Sequence, residues 1–285
     1  MTFWGTLLAL LWDQLSPLHR PSQFDRLFGR YGDWVLARFN AGSQAHVLLA
    51  LAAAALRPAA LSALAGSLLG GIGYLLSLAW NAAVLYQCLG FRQFSHLADA
   101  LNEALSAGDR QRALSYLAEM GLTDVETLPD TELASSAVSQ ILRLGLSRVF
   151  GVVFWFVPLG PFGALMYALT VALAERWRGE SDFRATIGQI MRWLDWLPSR
   201  LAIFSFAIVG NFEEAMLAWR GKDTDGVSSD AEGLLAAGFG ALGLGDAAPD
   251  PDYVSGAVAL LKRAVLVWLA LLCLLWLAAS SSLLR

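Results

Sequence analysis

Charged residues, lysine, histidine and cysteine are all scarce in this chain. Only 15% of its 285 residues are charged and two are lysines, which excludes the broad basic surface that binds nucleic acid. The three histidines are scattered singly, a distribution that argues against a metal site. Cys88 and Cys273 lie far apart in apolar stretches, so we interpret them as small core residues rather than a disulfide or zinc pair.

Hydrophobic residues take the place of the missing charge. They make up 56% of the chain, and the mean hydropathy of +0.53 is too high for an ordinary soluble domain. Eleven tryptophans add amphipathic rings that are typical of membrane interfaces. The composition predicts an all-α, polytopic helical membrane protein with about four spans, a Pro/Gly-broken re-entrant segment and a cytoplasmic helical hairpin.

Apolar runs mark the predicted spans. A first membrane segment is expected to end near Asp13, and the chain start lacks the basic residues and cleavage site of a removed signal peptide. Residues 45–89 are about twice the roughly 20 residues that one span needs, and Leu56–Pro58 predicts a turn between two helices. Residues 264–284 read as a final span behind a Lys262–Arg263 anchor.

We predict a single membrane domain over residues 1–285 with polar excursions. Residues 14–44 are expected to form an amphipathic helix, either on a membrane surface or on the protein's own core. Residues 90–145 predict a helical hairpin broken at "SAGD", followed by an acidic connector. Residues 201–219 suit a helix partly sunk beside the spans, and the Gly/Asp-rich residues 221–256 predict a loose, mobile loop.

The segment "PLGPFG" interrupts the apolar run of residues 146–177. Two prolines and two glycines in six residues cannot continue a regular helix, so the run is either a kinked span or two half-helices in a re-entrant hairpin. The re-entrant form leaves the arginines of the chain on one side, which the positive-inside rule assigns to the cytoplasm, and we prefer it. The candidate functional or architectural residues here are Pro158, Gly160, Pro161 and Gly163.

A second candidate is "WLDWLPSRLA", residues 193–202, which keeps charge in an apolar context. It sets Asp195 and Arg200 on either side of Pro198. The segment reads as a reacting site, a membrane-surface anchor or a remnant of an older site. Trp193 and Trp196 suit a membrane interface, where indole rings prefer to lie, and Asp195, Pro198 and Arg200 are interpreted as an architectural hinge more than as a catalytic pair.

Residues 150–220 resemble a known membrane family. "VPLGPFGALMYALTVALAERW" and "IMRWLDWLPSRLAIFSFAIVGNFEEAMLAW" are similar to the AmpE inner-membrane proteins, and "LLALLWDQLSPLH" and "LNEALSAGDRQRALSYL" resemble the family elsewhere. AmpE proteins share a superfamily with cobinamide-phosphate synthase, CobD or CbiB. The resemblance implies, for the synthase branch, the ATP-dependent joining of aminopropanol to a corrinoid carboxylate on the cytoplasmic side.

The chain departs from the synthase branch where that branch carries E-S-x-x-E-N-x-x-D, N-T-x-D-S-M and D-D-x-x-N. Only Pro198 and Arg200 of the following P-x-R element remain, and Asp195 stands in place of the last Asn. These departures remove most carboxylates that could hold Mg²⁺. The residues at the other departing positions are Ser139, Arg143, Leu144, Val171, Ala174, Met191 and Arg192.

We therefore expect a non-enzymatic, AmpE-like accessory or signalling protein of the bacterial inner membrane, linked to β-lactamase regulation or envelope sensing, without a cofactor. The alternative is a divergent CobD/CbiB-type amide-forming enzyme that uses Asp195, Arg200 and Mg-nucleotide on a phosphorylated or carboxylated substrate. Expected partners are the lipid bilayer and membrane or envelope proteins, with an oligomer compatible with the sequence and no nucleic acid. The protein is expected to be multi-pass with its main loops in the cytoplasm.

Overall fold

The structure, a computed structural model, describes Ala9 and residues 51–89, 91–123, 125–177, 181–222, 230–244 and 252–282. The predicted first membrane segment and the predicted helix at residues 14–44 lie outside the described residues, apart from Ala9. Within those ranges the chain is all-α, as predicted, and no strand occurs.

Eleven α-helices account for most of the described residues, with π-helical turns at Ala52–Leu56 and Leu146–Phe150 and a 3₁₀ turn at Val125–Thr127. In chain order the helices are α1 Arg57–Ile72, α2 Tyr74–Cys88, α3 Phe91–Ser106, α4 Arg110–Glu119, α5 Asp130–Gly145, α6 Gly151–Leu159, α7 Pro161–Arg176, α8 Ser181–Val209, α9 Phe212–Lys222, α10 Asp230–Ala241 and α11 Asp252–Ser282.

The single domain that the sequence predicts is divided into two compact units. The first unit comprises residues 1–90 and 147–197, and the second comprises residues 91–146 and 198–285. In the first unit α7 packs against α1, α2 and α6. In the second unit α5 packs against α3, α4, α10 and α11.

The predicted turn at Leu56–Pro58 is wrong. The helix runs without interruption from Ala52 to Ile72, and the chain turns at Gly73 instead. Pro58 is the second residue of α1, directly after the π-helical turn Ala52–Leu56, and the helix continues through it although proline lacks an N–H. After the turn α2 packs back on α1, and the Trp80 indole N–H donates to the Ser62 carbonyl at 3.0 Å.

Among the described residues, three stretches are long and apolar enough to cross a membrane: Ala52–Ile72, Asp130–Leu159 and Tyr253–Ala278. The last contains most of the predicted final span but begins earlier. The second stretch begins at Asp130, so the acidic connector that the sequence predicts leads directly into an apolar helix. At 15 residues, α2 is too short to count, so the total of about four spans stays a prediction.

The predicted helical hairpin after residue 90 is confirmed as α3 and α4. The break falls at "SAGD", where Gly108 adopts φ 68° and the Asp109 carboxylate accepts a hydrogen bond from the Arg112 backbone N–H at 3.1 Å. A positive φ favours glycine, and aspartate is a preferred helix N-cap. The core of this unit is apolar and includes the fully buried side chains of Leu101, Leu117, Ile141, Leu142 and Leu261.

The loose loop predicted over residues 221–256 is wrong for residues 230–241, which form α10. Gly240 faces the α9 backbone so closely that a Cβ there would lie 2.5 Å from the Glu214 carbonyl oxygen. The Asn211 N–H donates to the Ala241 carbonyl at 3.0 Å and fixes the same end of the α9–α10 pair. Glycine in this stretch permits close helix packing and does not signal mobility.

Replacing Gly240 by alanine is expected to lower the free energy of unfolding by about 1–3 kcal/mol, because the added methyl group must displace the α9 backbone. Gly188→Ala is the matched control: Gly188 lies in α8 with no neighbour within 4 Å of an added Cβ. The control should be neutral or stabilising by up to about 1 kcal/mol, since alanine is the better helix former. Thermal or denaturant unfolding in detergent measures both variants, and equal effects would contradict the packing assignment.

Candidate functional site

Helices α6 and α7 form a tight antiparallel hairpin about Gly160. Gly160 adopts φ 60° and ψ −146° between Leu159 and Pro161, and Pro161 begins α7. A Cβ on Gly163 would collide with the Trp155 carbonyl oxygen, and one on Gly151 would collide with the Tyr167 ring. The two pairs, 155 with 163 and 151 with 167, define the antiparallel register.

The hairpin rules out a kinked span through residues 149–175, because the chain reverses at Gly160. The four predicted residues have separate places in it. Pro158 is the next-to-last residue of α6, Gly160 makes the turn, Pro161 starts α7, and Gly163 permits the close approach. The position of this hairpin relative to a bilayer stays a prediction.

Helix α8 continues through Pro198, which lies in the interior of the helix and not at its first turn. Proline has no backbone N–H, so the carbonyl of Leu194, four residues earlier, loses its helical donor. The Trp155 indole N–H, from α6, donates to that carbonyl at 3.2 Å. A side chain of the hairpin therefore supplies the hydrogen bond that Pro198 removes.

Helix α7, the other arm of the hairpin, binds Asp195, the residue that follows Leu194. The Tyr167 hydroxyl, in α7, donates to the Asp195 carboxylate at 2.6 Å. Tyr167 is fully buried and Asp195 is half-buried. A hydroxyl–carboxylate bond of this length is charge-assisted and stronger than a neutral one. We refer to the Trp155–Leu194 and Tyr167–Asp195 hydrogen bonds together as the hairpin clamp.

A salt bridge closes the open end of the hairpin. The Arg148 guanidinium, in the π-helical turn before α6, lies 3.0 Å from the Glu175 carboxylate near the end of α7. Both side chains are more than one-third exposed, so the pair contributes at most about 1 kcal/mol. The clamp and the glycine contacts, rather than this ion pair, determine the geometry of the hairpin.

The structure separates the predicted pair Asp195 and Arg200. The two residues are five positions apart on one helix, which is not the three- or four-residue spacing of neighbouring helix side chains. Asp195 belongs to the hairpin clamp, while Arg200 is half-buried further along α8. Trp155 and Tyr167 are the residues that the sequence did not reveal, although Pro198 inside a helix already indicates that Leu194 needs an outside donor.

The described residues form no cluster of acidic side chains for the Mg-nucleotide that the synthase branch implies. No three His, Cys, Asp or Glu side chains lie together in the described part of the chain. The carboxylates nearest the hairpin are already engaged, Asp195 with Tyr167 and Glu175 with Arg148. Leu144 and Val171, at two of the departing motif positions, are buried apolar residues.

Comparison with known proteins identifies the family. A family model described as CobD/Cbib protein matches residues 6–245, and the chain therefore belongs to the CobD/CbiB family. A Stutzerimonas stutzeri protein named "Cobalamin biosynthesis protein CobD" is 30% identical over 299 aligned positions, covering 95% of this chain and 96% of the relative. A Chromobacterium violaceum protein of the same name is 29% identical over 220 residues, covering 69% and 70%. No solved structure matches.

A double-mutant cycle tests the clamp. Trp155→Phe keeps an aromatic ring but leaves the Leu194 carbonyl without a donor, and should cost about 1–3 kcal/mol of unfolding free energy. In a Pro198→Ala background, the alanine N–H can restore the helical bond, so the same change should cost less than about 1 kcal/mol. Unfolding in detergent gives the four free energies.

Trp80→Phe is the matched control for this cycle. It also removes an indole bond to a helix carbonyl, that of Ser62, but Gly66 can still donate to that carbonyl within α1. Its cost should be smaller than that of Trp155→Phe. Equal costs of Trp155→Phe with and without Pro198 would show that the indole does not compensate for the proline.

Proposed function

We propose that this protein acts in cobalamin biosynthesis as a membrane-bound member of its family that binds a corrinoid. The observation that carries the proposal is the 30% identity across 95% of the chain to the S. stutzeri protein named "Cobalamin biosynthesis protein CobD". The comparisons favour this alternative over the AmpE-like signalling role that the sequence led us to prefer. The match of the CobD/Cbib family model to residues 6–245 supports the same class of protein over nearly the whole chain.

The retained Pro198-x-Arg200 element is where we propose that substrate binds. Arg200 offers a planar guanidinium suited to a phosphate or carboxylate group. Residues 194 and 195, which precede this element by four and three positions, are held by the hairpin clamp. In this proposal the clamp holds the turn of α8 that precedes the binding segment in place. Arg200 then binds the anionic group of the substrate.

Amide formation from a corrinoid carboxylate is the reaction class that the family implies. The described residues form no cluster of acidic side chains for a Mg-nucleotide, so we assign no step to one. This departure favours a second candidate, a non-catalytic accessory role. It is supported by Arg143, Met191 and Arg192 in place of the synthase's acidic residues. Complementation separates the two candidates.

The test is growth of a bacterium that lacks its own CobD protein under conditions that require cobalamin synthesis. The wild-type chain should restore growth, and Arg200→Ala should abolish or strongly reduce it because the anion contact is lost. Arg220→Ala is the matched control, since Arg220 is an exposed arginine of α9 that lies outside the proposed binding segment and outside the synthase motif positions. Immunoblots of membrane fractions confirm equal protein amounts.

Binding of cobinamide to the purified, detergent-solubilised protein provides an independent measurement. The corrinoid absorbance should co-elute with the wild-type chain and be lost with Arg200→Ala. Folded protein that neither restores growth nor retains cobinamide would contradict the cobalamin proposal and favour the accessory role. Binding without growth would place the chain in corrinoid handling but outside amide synthesis.

We further propose that the protein resides in the bacterial inner membrane with residues 90–145 in the cytoplasm. The support is the arginine-rich character of the polar segments and the Lys262–Arg263 pair ahead of the apolar residues 264–284. Reporter fusions after Gly121 in this segment and within residues 223–229 should both report a cytoplasmic location. A periplasmic signal from either fusion would contradict this topology.

A further inference from the structure

The exposed face of α8 is unusually apolar for a helix outside the three candidate spans. Trp193 is 79% exposed and Ile208 is 64% exposed. The large exposed side chains recur every one to four positions and follow one stripe along the helix, as residues on a shared helical face do. They are Trp193, Trp196, Leu197, Leu201, Phe204 and Ile208.

Between Trp193 and Ile208, the polar residues Asp195, Ser199 and Ser205 lie on the opposite side of α8, whereas the half-buried Arg200 lies on the same side as the stripe. Ser199 is fully buried, and Ser205 is 5% exposed. The Ser205 hydroxyl donates to the Leu201 carbonyl at 2.7 Å and accepts from the Trp268 indole at 2.8 Å. Asp195 is likewise turned to a protein partner, Tyr167. This arrangement reverses that of a helix in water, which hides its apolar stripe and exposes its polar one.

The exposed residues also change in character along the helix. Gln189 and Arg192 are exposed at the polar end, then the two tryptophans follow, and Leu201, Phe204 and Ile208 complete the stripe. At 1.5 Å per residue, the stripe from Arg192 to Ile208 is about 24 Å long. Tryptophan prefers the headgroup layer, and leucine, phenylalanine and isoleucine prefer the hydrocarbon.

The neighbour of Ser205 supports a membrane location. Trp268 belongs to the Tyr253–Ala278 stretch, which is apolar enough to cross a bilayer. The hydrogen bond therefore places the apolar part of α8 beside a candidate span. Hydropathy alone does not identify α8, because its buried serines, Asp195 and Arg200 lower the average over the helix.

We propose that this face of α8 is a lipid-contact surface, with Trp193 and Trp196 at the headgroups and Leu201, Phe204 and Ile208 against acyl chains. We assign the surface to the phospholipid bilayer because the exposed residues change along α8 in the same order as the bilayer does, from water through headgroups to acyl chains. The inference concerns the exposed apolar residues of this face rather than Arg200, and it goes beyond the corrinoid proposal.

Single cysteines placed along α8 test this surface. In a chain with Cys88→Ala and Cys273→Ala, cysteine replaces Gln189, Leu201, Phe204 or Ile208, one at a time. Glu103→Cys in α3 is the exposed control and Ala207→Cys is the buried control. The full-length variants are reconstituted in vesicles of phosphatidylcholine and phosphatidylglycerol and reacted with N-ethylmaleimide.

Thiols at 204 and 208 should react about tenfold more slowly than those at 189 and 103, because the reactive thiolate does not form in hydrocarbon. A second measurement separates lipid from protein burial. A fluorophore attached in detergent at 204 or 208 should be quenched, after reconstitution, by lipids with a nitroxide on the acyl chain. The thiol of Ala207→Cys should be unreactive under the same labelling conditions.

Two results would overturn the proposal. Equal reaction rates at 189, 204 and 208 would show that the face meets water. Protected thiols at 204 and 208 without nitroxide quenching would show that another protein, such as a second copy of this chain, covers the face. Circular dichroism and elution volume establish that each variant is folded before labelling.

Discussion

The hydrogen bond from the Trp155 indole to the Leu194 carbonyl is the interaction on which the candidate site depends. Pro198 lies inside α8 and deprives that carbonyl of its backbone donor, and a buried carbonyl without a donor is costly. Because the replacement donor comes from α6, the hairpin must stay beside this one turn of α8. The Tyr167–Asp195 bond then acts on the next residue, so that both hairpin arms hold one short segment.

Close backbone approach through glycine is the second constraint, and it recurs in both units. In the first unit, Gly163 has no Cβ and so lets the Trp155 carbonyl lie against its backbone. In the second unit, Gly240 does the same for the Glu214 carbonyl. Small residues play this part in membrane helices, where association rests on van der Waals contact and polar bonds rather than on expulsion of water. The same residues therefore set helix spacing that aliphatic side chains would prevent.

Sequence patterns predicted the helical class, the break at "SAGD" and the interruption at "PLGPFG", because each rests on local conformational preferences. The turn at Leu56–Pro58 failed because the helix continues through Pro58, at the point where the π-helical turn Ala52–Leu56 passes into α1. The loop over residues 230–241 failed because glycine serves tight packing as well as flexibility. Asp195 and Pro198 were visible as candidates, but Trp155 and Tyr167 were not, since their partners lie 39 and 28 residues away in the chain. The resemblance identified the superfamily, while the missing carboxylates led us to prefer the AmpE-like role over the CobD/CbiB alternative, which the comparisons favour.

The dependence of Trp155 on Pro198 has an evolutionary consequence. A tryptophan at position 155 is needed for hydrogen bonding only while position 198 lacks an N–H, so the two positions are not free to drift independently. A lineage that exchanges the proline first can then lose the tryptophan at little cost, whereas the reverse order passes through an unsatisfied carbonyl. The order of substitution, and not only the identity of the residues, is thus constrained by one peptide group.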